Sequence, residues 1–180
     1  MYPLLRLGRF AAVAISALTV ASCASTMMNS YVERGIDFTQ YHTYNWDLAD
    51  SLGTGDPRLD NNPFFHERLQ ADVEKELATR GFEKTTSEAP ELLIHYHASI
   101  NQRIDVNGAD QKYGSCDNCE PDVYDAGTLV LDFVDTRTSK VVWRGWVQGS
   151  VAGVIDNQEW MEEKIDEAVT RILERLPRRL

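Results

Sequence analysis

The side chains best suited to chemistry are the cysteines. Cys116 and Cys119 enclose Asp117 and Asn118 in a C-x-x-C arrangement. Two thiols so spaced can close a small disulfide loop, exchange electrons, or supply two of the four ligands of a zinc site. Electron exchange needs thiolates favoured by positive charge or a helix N-terminus. Asp117, Glu120 and Asp122 crowd this pair, and Pro121 follows with no helix evident, so the local charge runs the wrong way. Zinc needs two further ligands. His95 and His97 share one side of a strand that leads into the same loop, so Cys116, Cys119, His95 and His97 form the metal alternative. The plainer reading of His-x-His is two imidazoles on the solvent side of a sheet. Outside the cytoplasm two such thiols oxidise, and a Cys116–Cys119 disulfide is the leading reading of the pair.

The third cysteine belongs to a different pattern. Arg6 and Arg9 precede a short run, 10–20, that is apolar or small except for Ser16 and Thr19. It is well short of the roughly 20 residues that span a bilayer. Val20-Ala21-Ser22-Cys23 closes it. A positive flank, a short apolar stretch and small residues at the end describe an export signal. The ending resembles a lipobox, which implies cleavage before Cys23 and acylation of its thiol. Residues 1–22 then read as a removed signal peptide, and Ala24 and Ser25 lack the aspartate that holds some lipoproteins in the inner membrane. The expected address is the outer membrane, with the domain facing the periplasm. An ordinary secretory signal is the alternative.

Other constellations fall short. Asp105-Val106-Asn107-Gly108-Ala109-Asp110 hints at a calcium loop, yet the sixth position is Asp110 rather than Gly and the twelfth is Cys116 rather than Glu. His66-Glu67-Arg68-Leu69-Gln70 opens like a zincin helix but has Gln70 where the second histidine must be. No nucleophile elbow, P-loop or dinucleotide fingerprint is present. Trp143, Trp146 and Trp160 could line a ligand groove, but core packing and sheet-edge roles are commoner for such residues. No catalytic residue, cofactor or enzyme activity is expected.

The elements that position these residues follow from periodicity. Removing residues 1–22 takes away two arginines and no acid, leaving 158 residues with 16 basic and 28 acidic side chains, net about −12. That length is one domain. That charge argues against nucleic acid and against an anionic lipid surface. Residues 23–30 read as a lipidated tether and 31–180 as a single domain. Residues 41–46 alternate aromatic and polar types, as a strand does. Asn61 or Asn62 can cap a helix that Pro63 opens and Gly81 closes, with Phe65, Leu69, Val73 and Leu77 as its apolar stripe and Glu67, Asp72, Glu74 and Glu76 toward water. Strands are expected at 92–100, 127–135 and 140–150, the last two forming a hairpin through Thr136-Arg137-Thr138-Ser139. Residues 101–126 read as a loop insertion. A final helix starts near Asp156 or Asn157 and runs to Pro177, with Met161, Ile165, Val169, Ile172 and Leu176 buried. Two helices with one apolar stripe each can cover one face of a mainly antiparallel sheet, so the expected fold is a two-layer α+β domain.

These segments resemble a known family. Ile36-Asp37-Phe38-Thr39-Gln40-Tyr41-His42-Thr43-Tyr44-Asn45-Trp46 is similar to the opening motif of the bacterial lipoprotein family called domain of unknown function 4136. So are the middle block, Glu76-Leu77-Ala78-Thr79-Arg80-Gly81-Phe82 with Ala89-Pro90-Glu91-Leu92-Leu93-Ile94-His95-Tyr96, and the later block that runs from Gly127-Thr128-Leu129 through Asp135 to Val142-Trp143-Arg144-Gly145. Glu91 stands where the family has Asp. The resemblance covers about 31–177 and implies an envelope lipoprotein with an α+β domain and no assigned activity. The expected function is therefore a non-enzymatic binding or structural domain, attached to the membrane by its lipid, with an envelope protein or a glycan as partner. A metal-binding or redox-active protein using the Cys116/Cys119 loop is the alternative.

Overall fold

A computed structural model of the chain describes residues 26–47, 56–86, 89–104 and 123–177. Among these residues six strands form one sheet. Strands β1 (Met27–Val32), β6 (Lys140–Ser150), β5 (Val123–Asp135) and β4 (Leu92–Ile104) lie side by side and antiparallel; β2 (Thr43–Trp46) and β3 (Glu83–Lys84) add in parallel at the far edge. Helices α1 (Pro57–Asp60) and α2 (Pro63–Thr79) join β2 to β3, and α3 (Gln158–Leu173) follows β6. The domain is α+β with a mainly antiparallel sheet, as the periodicity predicts.

Alternation along the strands divides the sheet into two unlike faces. Tyr44, Trp46, Leu92, Ile94, Leu131, Phe133 and Trp143 share one face and are buried. They join the stripes of α2 (Phe65, Leu69, Val73, Leu77) and α3 (Met161, Ile165, Val169, Ile172) in a single apolar cluster. Trp46 donates its indole N–H to Glu74 on α2 at 2.8 Å, and the Tyr96 hydroxyl meets His66 of α2 at 2.6 Å. Burying one large aliphatic or aromatic side chain contributes about 2 kcal/mol.

The helix N-caps and the glycine after α2 behave as the sequence predicts. Asn62 accepts the Phe65 N–H at 3.1 Å and Asn157 accepts that of Trp160 at 3.0 Å. Gly81 takes φ +79° just past α2, a left-handed value that glycine adopts without strain. Asn62→Ala and Asn157→Ala are each expected to lower stability by about 1 kcal/mol, the usual worth of such a cap. Denaturant midpoints with an unchanged slope would check this.

Four features differ from the sequence reading. Strand β1 begins at Met27, inside the stretch 23–30 read as tether, because its backbone pairs with β6 from Met27↔Gln148 to Val32↔Trp143. Strands β4 and β5 continue to Ile104 and from Val123, pairing four residues into the stretch 101–126 read as loop at each end. Asp72 is buried rather than solvated, with Arg68 donating to it at 2.9 Å. The last helix ends at Leu173, four residues before Pro177; the chain then tightens into a turn that keeps Leu176 buried. Cys23, Cys116 and Cys119 lie outside the described residues, as does the stretch 105–110 weighed for calcium.

Candidate functional site

The strongly perturbed groups come first, because perturbation can mark chemistry. Asp135 is buried at the end of β5. Its carboxylate accepts the Tyr41 hydroxyl at 2.7 Å, an Arg137 guanidinium N–H at 3.1 Å, and the backbone N–H groups of Arg137 and Thr138 at 2.8 and 2.9 Å. Burial pushes this carboxyl up, but the four donors together outweigh it and hold it at about 2. Burial, with Asp135 beside it, pushes Tyr41 up to about 12. Glu91 spends its carboxylate on backbone: burial raises it, and the N–H groups of His42 and Thr43, at 2.5 and 2.9 Å, bring it below the ordinary range. These groups fasten loops, and each has its donors already in place.

The second candidate is the sheet face away from the helices. Leu93, His95 and His97 point there from β4, as the alternation predicts, opposite Val134, Asp132 and Val130. Arg144 lies across from Asp132 and donates to it at 2.6 Å; Tyr31 continues that row from β1, and Trp146 stands in the next row opposite Val130. Asp132 is buried, and its carboxylate raises the Arg144 guanidinium further above its already high value. His95 Nε2 lies 3.4 Å from Asp47, and His97 Nε2 lies 4.0 Å from Asp132. Each histidine therefore faces its own carboxylate. Among the described residues no three His, Cys, Asp or Glu converge as a metal site.

The three tryptophans do not form one groove. Trp143 is wholly buried on the helix side, Trp146 is half-buried on the opposite face, and Trp160 is exposed at the start of α3. His66 is engaged by Tyr96 rather than aimed at a metal position.

A cavity of about 110 Å³ lies between α3 and the sheet, at the end where β1 begins. Ala98 and Ile100 of β4, Gly127 and Leu129 of β5, and Val147 and Gly149 of β6 line it from the sheet, and the Val151 side chain stands over Gly127. Its roof is Met161, Ile165 and Ala168 of α3. Lys164, Glu167 and Arg171 also line it; Glu167 accepts from Lys164 at 2.7 Å and forms an ion pair with Arg171 at 2.8 Å. The Lys164 bond foremost, with Arg171 nearby, holds the Glu167 carboxyl below its usual range. Thr26, the residue before β1, forms part of the wall. Sequence reasoning missed this site. Its lining comes from three strands and the last helix, residues that become neighbours only once the register is known.

Comparison with known proteins adds the following. A family model described as "Domain of unknown function (DUF4136)" matches residues 28–178. No curated protein matches the sequence. Among solved structures, a PDZ domain protein from Parabacteroides distasonis is similar in fold, with a TM-score of 0.55 at 13% identity over 83% of this chain. The chain spans only 35% of that protein's length. A PelC dodecamer from Paraburkholderia phytofirmans gives a TM-score of 0.46 at 8% identity, covering 82% of this chain and 94% of that one. At 13% identity the likeness to the PDZ domain protein is one of fold alone.

Proposed function

Because this chain belongs to the DUF4136 family, whose model spans residues 28–178, we propose that it is an outer-membrane lipoprotein whose periplasmic domain has a non-enzymatic binding or structural role. The observation that carries the reading is Val20-Ala21-Ser22-Cys23 behind a positive flank and a short apolar run. Its position against the fold supports it. Cys23 stands four residues before Met27, the first residue of β1, so an extended link reaches at most about 14 Å. An acyl group on Cys23 would hold the β1 edge of the sheet close to the headgroups. Three acyl chains make a stable anchor, since two signals of the one-chain kind already suffice. A net charge near −12 keeps the rest of the domain off an anionic surface.

A non-catalytic role is supported by what the perturbed groups do. Asp135 and Glu91 are saturated with hydrogen bonds that join loops to strands, which leaves neither free to act as a base. In an oxidising periplasm, Cys116 and Cys119 pair with each other once Cys23 is acylated. The partner is another envelope component, protein or glycan.

The decisive measurement is the intact mass and membrane fractionation of the wild-type protein beside Cys23→Ser. The wild type should carry the mass of a diacylglyceryl group plus one N-acyl chain and fractionate with the outer membrane. The variant should lack that mass and accumulate as an uncleaved or mislocalised precursor. An unmodified wild-type N-terminus would sink the anchor.

A further inference from the structure

We propose that strand β1 is an interface with a second copy of this chain. Two β1 strands pair antiparallel about a twofold axis at Asn29 and join two sheets into one. The proposal goes beyond the binding role above, and it rests on the lipid anchor, which holds the copies on one membrane.

The two edges of the sheet are unlike. At one edge β3 is two residues long and charged, Glu83-Lys84. Short, charged edges discourage further pairing. At the other, β1 is Met27-Met28-Asn29-Ser30-Tyr31-Val32, with no charge and no proline, and its register with β6 is unbroken. Among the described residues no strand pairs with its outer side. Its backbone is set for one. Glu33, just past β1, donates its N–H to Val142 of β6 at 3.0 Å. Backbone groups alternate in direction along an antiparallel strand. Those of Met27, Asn29 and Tyr31 therefore point to β6, and those of Met28 and Ser30 point outward. The Ser30 N–H agrees, since it is accepted by the neighbouring Asn29 side chain at 2.8 Å.

The side chains fit self-pairing. Cross-strand partners must share a sheet face, and outward backbone groups must meet their like. A pair centred on Asn29 satisfies both. Met28 of each copy meets Ser30 of the other, with about four backbone hydrogen bonds in all. Met27 of each copy meets Tyr31 of the other. These two are the most exposed apolar side chains of the strand, at 56% and 52%, and each covers the other across the seam. The strand brings no charge to it, so the acidic surface elsewhere is not forced together. A twofold contact of this kind closes at two copies, because β3 offers no second edge.

The tether supplies what the seam lacks. Six residues a side is far below the roughly 20–30 of a standard interface, so the pair is weak in dilute solution. Anchoring both copies in one bilayer raises their effective concentration. In this register the two Met27 residues stand four rungs apart, about 14 Å. The links to both Cys23 residues therefore reach one bilayer lying along the sheet.

Asn29→Cys is made in the full-length protein, and isolated membranes are treated with a mild oxidant. Opposed positions at the twofold axis lie within disulfide reach. The intact mass should double, and the digest should yield two β1 peptides joined at position 29. Met27→Cys sets its two thiols too far apart and should give no such product. Adding Ser30→Pro to Asn29→Cys removes an outward donor, a change that edge strands tolerate. It should cut the disulfide at least tenfold with the thermal midpoint kept. No disulfide at position 29, equal yields at 27 and 29, or a yield unchanged by Ser30→Pro would overturn the seam. So would position 29 joined to a cysteine of another protein, which would give the edge to a foreign strand. Acyl mass is read on the same sample. Acylated protein without the disulfide keeps the anchor and refutes the seam; protein without acyl groups that still forms it refutes the anchor and keeps the seam.

Discussion

Gly145→Ala is expected to lower stability by about 3 kcal/mol, the upper end of what overpacking costs in a close-packed core. Gly145 sits on β6, on the helix side of the sheet, paired with Leu131. The Trp143 indole, fully buried, lies along the strand above it. A methyl group at this position would lie 2.3 Å from Cη2 and 2.7 Å from Cζ2 of that ring, and 2.6 Å from Cγ2 of Ile172 on α3. None of these atoms can step aside cheaply. The indole is rigid and is held by Phe133 edge-on, with ring centroids 5.0 Å apart; Ile172 is anchored in the helix–sheet interface. The smallest possible side chain must therefore lift α3 from the sheet or displace the tryptophan. Gly149→Ala is the control. It lies on the same face four residues on, where the added atom would meet Thr26 at an ordinary 3.5 Å, and a change within about 0.5 kcal/mol is expected. Denaturant midpoints of the two variants test the account; equal losses would refute it. The same contacts explain why tryptophan and glycine occur two apart in the block Trp143-Arg144-Gly145: one is the lid and the other the space beneath it.

Asp135→Asn is expected to cost about 3 kcal/mol at neutral pH, because a buried, charge-assisted acceptor is replaced by an amide that turns a donor toward donors. The carboxylate holds the β5–β6 turn through Arg137 and Thr138 and ties it to Tyr41, 94 residues earlier. The pH dependence has a definite sign. The folded value, about 2, lies below the ordinary 3.8. The stability it supplies is thus complete above pH 4 and is lost as pH falls through 2. A shift of this size corresponds to about 2 kcal/mol. The stability gap between wild type and Asp135→Asn should therefore narrow by about that amount between pH 5 and pH 2. A gap independent of pH would mean that the carboxylate's charge is not what the turn uses. Tyr41 adds an alkaline limb: its folded value is raised to about 12, so its contribution is present below pH 10 and fades as pH approaches 12.

The sequence by itself determined what short-range physics controls. Spacing by four in 65–77, and by four and three in 161–172, marks the apolar stripes of α2 and α3. Asn62 and Asn157 cap those helices, and Gly81 takes the positive φ that ends the first of them. Two-residue alternation puts Leu93, His95 and His97 on one face and Ile94, Tyr96 and Ala98 on the other. The family motifs were readable in the same way, since each is a contiguous block. Tertiary structure alone decided everything that joins distant segments. Residues 27–32 have no periodic signal of their own and become a strand because β6 offers them an edge. The parallel pairing of β2 with β4 depends on the α1–α2 crossover bringing Tyr44 beside Leu92. Asp72 is buried because α3 packs against α2 and Arg68 is there to pair with it. The cavity between α3 and the sheet draws Ala98, Gly127 and Gly149 from three strands, Gly127 paired with Gly149 and Ala98 two residues along, opposite Leu129. Small residues carry no local preference for a cavity. Only the non-local pairing of the chain gathers them into one.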